Sequence, residues 1–561
     1  MTMKQNSIRS TGALRWAAAC SLALAAANAE DWPQWGGNDP GRNFFSPATG
    51  LPESFNPGKV KSGTEEIDLA TTKSVKWAVK LGSQSYGNPV VADGKVYVGT
   101  NNESPRDKRH VGDRSVLYCF DEKTGAFLWQ LVVPKLKSGK VNDWENLGLL
   151  ASPLIDGKRL YVVTSRCEVL CLDTEGMANG NDGPYKDEAK YFALDTGKPP
   201  VEPGKTDADI LWRYDMMDEL GVFPHNASNC SVLMVDGLLY ICTSNGQDWT
   251  HVNIPSPTSP SFIALDPKTG KLVAEDNAGI GPRIFHGQWT SPSTGKVGDK
   301  NLVFFGGGDG VLYALDAKPQ KGDGSKIVPV LPGAVLDREE EKDSSYLKKV
   351  FWADLNPPEY KTDKNGKPFK YPAAEGPSEI NSTPVFYKNR VYVATGQDPE
   401  HGEGVGHLVC LDATKTGDIT KTGVIWEYKG IKRSISSVSI DPKTGLLFIG
   451  DFSGFVHCLD AETGKLNWVY DMKAHMWGST MVADGKVYVG DEDGDFVVLA
   501  AKGGDKPQVL SETNLGAPVY STPVIANGTM YIASQTHLFA IGANAKPVTA
   551  DAPKKDEVQA K

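Results

Sequence analysis

One pentapeptide recurs along this chain and constrains its fold more than any other feature. Its clear copies are Leu117-Tyr-Cys-Phe-Asp121, Val169-Leu-Cys-Leu-Asp173, Phe262-Ile-Ala-Leu-Asp266, Leu312-Tyr-Ala-Leu-Asp316, Leu408-Val-Cys-Leu-Asp412 and Val456-His-Cys-Leu-Asp460. Two weaker copies, Phe496 to Ala500 and Leu538 to Gly542, bring the count to eight. Several continue as Lys123-Thr-Gly125, Lys268-Thr-Gly270 or Glu462-Thr-Gly464, a tight turn whose glycine can take positive φ. A further strand follows, often with a tryptophan: Trp129, Trp212, Trp352, Trp426 and Trp468. Upstream of each pentapeptide lies an alternating apolar hairpin tipped by Asp93-Gly94, Asp156-Gly157, Asp236-Gly237, Asp484-Gly485 or Asn527-Gly528, the preferred two-residue hairpin signal.

Each unit therefore reads as four antiparallel strands, repeated at intervals of roughly 40 to 70 residues, which predicts an all-β, eight-bladed β-propeller of four-stranded antiparallel blades. The last unit ends after its third strand, and the chain opens with an orphan fourth strand, Ser74 to Gly82, carrying Trp77. That N-terminal strand is expected to complete the last blade and remove the open edge of the ring. Lys4, Arg9 and Arg15 precede an apolar run ending in Ala27-Asn-Ala29, so residues 1–29 read as a signal peptide. Residues 30–73, with Trp32, Trp35, Phe44 and Phe45, read as an arm packed on the propeller of residues 74–544. Residues 545–561, rich in Ala, Pro, Lys and Asp, read as a disordered tail.

The Asp-x-x-Thr-Gly-x-x-x-Trp pattern of Asp121 to Trp129 resembles the repeat of PQQ-dependent dehydrogenases and of BamB-like outer-membrane assembly propellers. The entry segment Asp31-Trp-Pro-Gln-Trp-Gly-Gly-Asn38 is similar to the lead-in of secreted bacterial PQQ-like propeller proteins. The quinoprotein side of that resemblance implies a vicinal cysteine pair, calcium held by Glu, Asn and Asp and, in some members, a Cys-x-x-Cys-His haem site. Neither cysteine motif occurs here. Cys119, Cys171, Cys410 and Cys458 instead share a slot that Ala264 and Ala314 fill elsewhere, which marks it as small and buried. Cys230 and Cys242 fall on opposite faces of their hairpin, so no disulfide is expected between them.

Histidines gather in the loops that precede first strands or join second to third strands, which share one face of the disc. Those loops carry Phe223-Pro-His-Asn226, Asp248-Trp-Thr-His251, Phe285-His-Gly-Gln-Trp289, Glu379-Ile-Asn381, Asp398-Pro-Glu-His401 and His475-Met-Trp477. The candidate ligand- or cofactor-binding site is therefore His225, Asn226, Asp248, His251, His286, Trp289, Glu379, Asn381, Asp398, His401, His475 and Trp477 at the mouth of the central channel. Within it, His225, His286, Glu379 and His475 are the expected metal ligands. Neutral histidines with carboxylates suit a transition metal, whereas Glu with Asn and Asp suits calcium beside pyrroloquinoline quinone.

Gly306-Gly-Gly-Asp-Gly310 has no helix after it and reads as a turn; Asn179-Gly-Asn-Asp-Gly183 with Asp187 and Glu188 fails the EF-hand register and reads as a solvated loop; Asp337 to Asp343 reads as an exposed charged face. The chain carries a net charge of −10 without a basic stripe, and residues 1–29 contribute basic groups only, which argues against nucleic-acid binding. No stretch offers the roughly 18 continuous apolar residues of a membrane span. The expectation is a monomeric periplasmic or secreted protein that binds a small molecule or protein on its loop face. Quinone- or metal-dependent oxidation at the histidine-rich mouth is the alternative.

Overall fold

The computed structural model describes residues 30–194, 199–321, 345–398, 400–401 and 404–548. The expected leader, the run from Asp337 to Asp343 and the tail beyond 548 lie outside the described residues. Eight small antiparallel sheets follow one another around a ring. Blade one comprises Val90–Ala92, Lys95–Asn101, Arg114–Asp121 and Phe127–Pro134, hydrogen-bonded in that order. The pentapeptides form the third strands, at Glu168–Asp173, Phe262–Leu265, Val311–Asp316, His407–Asp412, Phe455–Asp460 and Asp495–Ala500 in blades two to seven. Blade eight takes three strands from the end of the chain and its fourth, Val75–Lys80, from the beginning. That strand pairs with His537–Ile541, so the ring closes and leaves no strand edge open at its seam.

All eight blades shift register at the same point of the third strand, between Cys119 and Phe120 in blade one and between Ala540 and Ile541 in blade eight. The residue before this bulge sits opposite the fourth-strand tryptophan: Cys119 faces Trp129, Cys171 faces Trp212, Cys410 faces Trp426, Cys458 faces Trp468 and Ala540 faces Trp77. Only a small side chain fits beneath an indole there. The seven cysteines of the described residues are all buried and unpaired.

Each of these indoles reaches into the next blade. Trp77 Nε1 donates to the Glu122 carbonyl at 2.9 Å, Trp129 to Thr174, Trp212 to Pro267, Trp426 to Ala461 and Trp468 to Lys502. The acceptor carbonyl always belongs to the turn after the neighbouring third strand. In blades one, three and six the turn's aspartate shapes it, with Asp121, Asp266 and Asp460 each accepting the N–H and hydroxyl of the threonine three residues on. The tryptophan and the Asp-x-x-Thr-Gly turn are thus two halves of one latch between blades. Trp352 departs from the expectation set by the others: Phe351 faces Ala314 at the latch position, and Trp352 pairs with Tyr313 one residue along, with the Lys349 ammonium 4.2 Å from its ring. A one-residue step in a strand moves a side chain to the other face.

Residues 30–46 run beneath the ring, on the side away from the histidine-bearing loops, and bond to every blade. Glu30 accepts from Asn527 of blade eight, Trp32 pairs with Val91 of blade one, and Pro33 accepts from Ile155 of blade two. Buried Arg42 donates to the carbonyls of Val232 in blade three and Pro292 just before blade four. Pro40 accepts from Thr294 in blade four, and Gly41 accepts from Phe386 in blade five. Asn43 exchanges two hydrogen bonds with Ile440 in blade six, and Phe45–Ser46 adds a parallel strand to blade seven. The innermost strands, whose outward N–H and C=O groups would otherwise line an open channel, find partners in this arm. No helix of the described residues is long and apolar enough to cross a membrane.

Candidate metal centre at the mouth of the propeller

On the opposite face, three blades contribute to one cluster. His225 enters from the loop before blade three and His286 from the loop before blade four. His251 comes from the long second-to-third-strand loop of blade three, and Asp398 and His401 from the equivalent loop of blade five. Local pairing pins these loops: Pro224 bridges to Asn245, Glu379 bridges to Gly396, and Gln247 N–H donates to the His286 carbonyl. Gly246 lies beneath them, where a Cβ would come within 2.6 Å of His225 Cβ and 2.9 Å of the His286 carbonyl oxygen. Any larger residue would force apart the loops that carry the two histidines.

The rings stand close. Centroids of His225 and His286 are 4.2 Å apart, His286 and His401 4.5 Å, His251 and His286 4.7 Å, and His251 and His401 4.8 Å. His225 and His286 are wholly buried, while His251 and His401 are partly exposed above them. One ligand nitrogen each from His225, His251 and His286 falls within 4.8 Å of the others. The same holds for His286, Asp398 and His401.

For His225, His286 and His401, hydrogen bonds at Nδ1 leave Nε2 as the free nitrogen. His225 Nδ1 lies 2.6 Å from the Gln247 carbonyl, which can only accept, so Nδ1 carries the proton and Nε2 keeps its lone pair. His286 Nδ1 lies 2.6 Å from Asp398 Oδ2, and His401 Nδ1 lies 2.9 Å from the same atom. Asp398 therefore orients two imidazoles at once, as carboxylates do behind metal-binding histidines. His286 Nε2 is buried with no hydrogen-bond partner. His225 Nε2 and His251 Nε2 are 3.3 Å apart. Two ligands of a tetrahedral ion with metal–nitrogen bonds of about 2.0–2.1 Å stand about 3.3–3.4 Å apart.

The electrostatics match this arrangement. Burial, and then the neighbouring His286, push the His225 imidazole down to about 3; burial followed by His286 and His401 lowers His251. Burial also lowers His286, against the pull of Asp398, whereas its hydrogen bond to Asp398 raises His401. Burial alone would raise Asp398, but the bonds from His286 and His401 prevail and hold it far below the usual carboxylate range. Glu379 is driven the other way, first by burial and then by the Asp398 charge. Burial thus disfavours the protonated forms of His225, His251 and His286, while Asp398 is held toward its ionised form and Glu379 is pushed toward its acid form.

Tyr371 completes the polar floor. Its hydroxyl is 2.7 Å from Asp398 Oδ2 and 3.3 Å from both His286 Nδ1 and Glu379 Oε1. Asn381 Nδ2 donates to Glu379 Oε1 at 3.1 Å, and Glu379 Oε2 and Asn381 Oδ1 are buried without partners. Trp289 donates its indole N–H to the His225 carbonyl and packs 5.0 Å from the His286 ring. Asn226 and His251 both adopt left-handed backbone, a cost of order 1 kcal/mol or more for residues other than glycine.

Several candidates named from the sequence stand elsewhere. His475 is exposed, stacked 4.5 Å from the Phe452 ring with Nδ1 on the Phe452 carbonyl, so its expected place among the ligands does not hold in this structure. The loop before blade seven is short and ends against blade six, which keeps His475 from blades three to five. Trp477 belongs to a separate aromatic group with Phe452, Tyr86 and Tyr520 and donates to Glu492. Asp248 caps its own loop through Thr250 and Asn253. Conversely, His251, Asp398 and His401, named as site residues but not among the expected metal ligands, are in the cluster itself. Tyr371 and the Gln247 carbonyl carried no sequence signal, since the first lies in an insertion and the second acts through its backbone.

The fold and this mouth define an eight-bladed PQQ-type propeller with a histidine cluster on its loop face. The sequence profile of the family described as outer membrane protein assembly factor BamB matches residues 9–176, 111–321 and 423–543, and the chain belongs to that family. Similar solved structures include the quinohemoprotein alcohol dehydrogenase ADHIIG from Pseudomonas putida HK5, 12% identical over 96% of this chain and 84% of that one, with a TM-score of 0.53. BamB from Moraxella catarrhalis is 13% identical over 83% of this chain and 97% of that one, with a TM-score of 0.45. No curated protein matches the chain. At these identities the likeness is one of fold.

Proposed function

We propose that this protein is an extracytoplasmic PQQ-repeat propeller that binds one transition-metal ion at its mouth and uses it to hold a ligand presented from the loop face. The unpartnered, buried Nε2 of His286, ringed by three more imidazoles, carries this reading. An imidazole-rich set suits zinc, copper, iron or nickel, and Asp398 is already engaged as an acceptor. Calcium wants six to eight oxygens, so this donor set does not fit calcium with pyrroloquinoline quinone. The partly exposed His251 and His401 leave the ion approachable from solvent, where a small molecule or a partner's side chain could complete its coordination.

Native mass spectrometry of the protein purified from the periplasm tests this reading. Wild type should retain one transition-metal ion, His286→Ala should lose it, and His475→Ala should keep it. Asp398→Asn should remain folded but release the ion to a competing chelator about 10–100-fold more readily. Wild-type protein that is metal-free and takes up neither zinc, copper nor iron would overturn the proposal.

A second reading, metal-dependent oxidation, is favoured by Tyr371 and Glu379, which place a hydroxyl and a buried carboxyl group beside His286. Metal-dependent reduction of an artificial electron acceptor, lost in Tyr371→Phe while the ion stays bound, would support it over binding alone.

A further inference from the structure

A second cluster sits in the insertion that joins the third and fourth strands of blade two. Asp173 ends the third strand, Asp209 directly precedes the fourth strand Ile210–Asp215, and Asp182 belongs to the loop between them. Carboxylate oxygens from these three residues all lie within 4.8 Å of one another. Glu188 stands beside them, its Oε2 accepting Asn181 Nδ2 at 3.0 Å. Asp209 is 0% exposed and Glu188 1% exposed, yet Asp209 Oδ1 and Glu188 Oε1 have no hydrogen-bond partner. Among the described residues none of the four carboxylates has an ion pair. Arg159, opposite Asp173 across the strand pair, donates to the Pro267 carbonyl, and the Lys186 ammonium is spent on Asn181 O, Asn181 Oδ1 and Asp182 O, each at 2.6 Å.

A structural role for these acids would look different. In blades one, three and six the aspartate of this turn position bonds its own turn threonine. Asp173 accepts only the Glu175 N–H there, leaving the rest of its carboxylate to face the loop. Asp209 Oδ2 accepts the Asp182 N–H at 2.8 Å, which directs this buried carboxylate at the loop and leaves Oδ1 free. Removing several carboxylates from water without a compensating cation is costly, and such groups pair, protonate or bind metal.

We propose that blade two binds a calcium ion through Asp173, Asp182 and Asp209, with Glu188 supporting the loop or supplying a further oxygen. The donors are all hard oxygens with no histidine or cysteine among them, a set that suits calcium, magnesium or manganese over the metals expected at the mouth. A loop that can adjust to six to eight oxygens favours calcium over magnesium, which demands a near-ideal octahedron. The ion would tie the long insertion of residues 174–209 to the sheet that it interrupts. Asn179 to Gly183 is an exposed loop, as its sequence suggests, and Asp173 and Asp209, distant from it in sequence, are brought to it by the strand pairing.

Isothermal titration of the EGTA-stripped full-length mature protein with calcium chloride tests the proposal, alongside thermal melts with and without calcium. Wild type should bind one calcium ion and melt higher in its presence. Asp182→Ala removes an exposed ligand at little risk to the fold and should weaken calcium binding by about tenfold or more; Asp209→Asn should do so further. His286→Ala should bind calcium as wild type does, so failure at this site and failure at the mouth are separable. Absence of both binding heat and a melting shift in wild type would overturn the proposal. So would unchanged calcium binding in Asp182→Ala, or an equal response to magnesium.

Discussion

The same turn residue meets different surroundings in blades six and seven. Asp451 receives His457 Nε2 at 2.9 Å and the Lys432 N–H, whereas the equivalent Asp491 has Val497 where His457 would stand. Asp491 Oδ1 accepts the N–H groups of Asp493 and Asp495, but Oδ2 is buried with nothing to bond. Burial, aided by the charges of Asp495 and Asp493, pushes its carboxyl up to about 6 from 3.8. Between those values the folded chain keeps a proton that the unfolded chain has released. Asp491 therefore favours the folded state most in acid, and its contribution declines as pH climbs from about 4 to about 6, by at most about 3 kcal/mol. Urea denaturation of wild type and Asp491→Asn across that interval should show wild type losing stability relative to the variant as pH rises; parallel profiles would refute the assignment. At this scale the sequence disclosed which residue types crowd the mouth but not their roles. His251 and His475 were equally visible as loop histidines, and only the lengths and packing of their loops send one to the cluster and the other to Phe452.

At the scale of the element, the inter-blade latch explains why tryptophan and Thr-Gly recur together. Gly125 takes φ of +70°, and a Cβ there would lie 2.7 Å from the indole of Trp77, well inside contact distance. Gly270 stands the same way under Trp212 and Gly464 under Trp426. Trp77→Ala should cost about 3–5 kcal/mol, the range for deleting a large buried aromatic, because Trp77 is 1% exposed and also loses its bond to Glu122. Gly125→Val should be destabilising through the same contact, and the double variant Trp77→Ala with Gly125→Val should lose less than the sum of the two, since the second substitution no longer meets the indole. Additive losses would mean that the two halves do not act as one latch. The repeated strands, hairpin tips and turns were legible because period-two alternation and Asp-Gly or Thr-Gly turns are local signals. Trp352 does lie in the strand after its pentapeptide, as read, but one residue off the latch position, because the strand position and not the residue type selects the latch.

Across the whole molecule, two segments near the N-terminus hold the ring in different ways. Val75–Lys80 supplies the missing strand of blade eight, and residues 30–46 bond to every blade from below. A chain lacking residues 30–80 should expose His537–Ile541 as an unpaired edge and associate into oligomers by light scattering. One lacking only residues 30–46 should stay monomeric but melt lower, having lost the Arg42 and Asn43 bonds; equal behaviour of the two would contradict this division of labour. The repeat, the number of blades and the manner of closure were determined by the sequence alone, because each depends on short-range pattern and on the count of strands. The tertiary structure decided which loops meet. Coordination and charge burial act through space over a few ångströms, and the carboxylates of Asp398 and Asp209 acquire their partners only when blades and insertions that are separate in sequence are folded against one another.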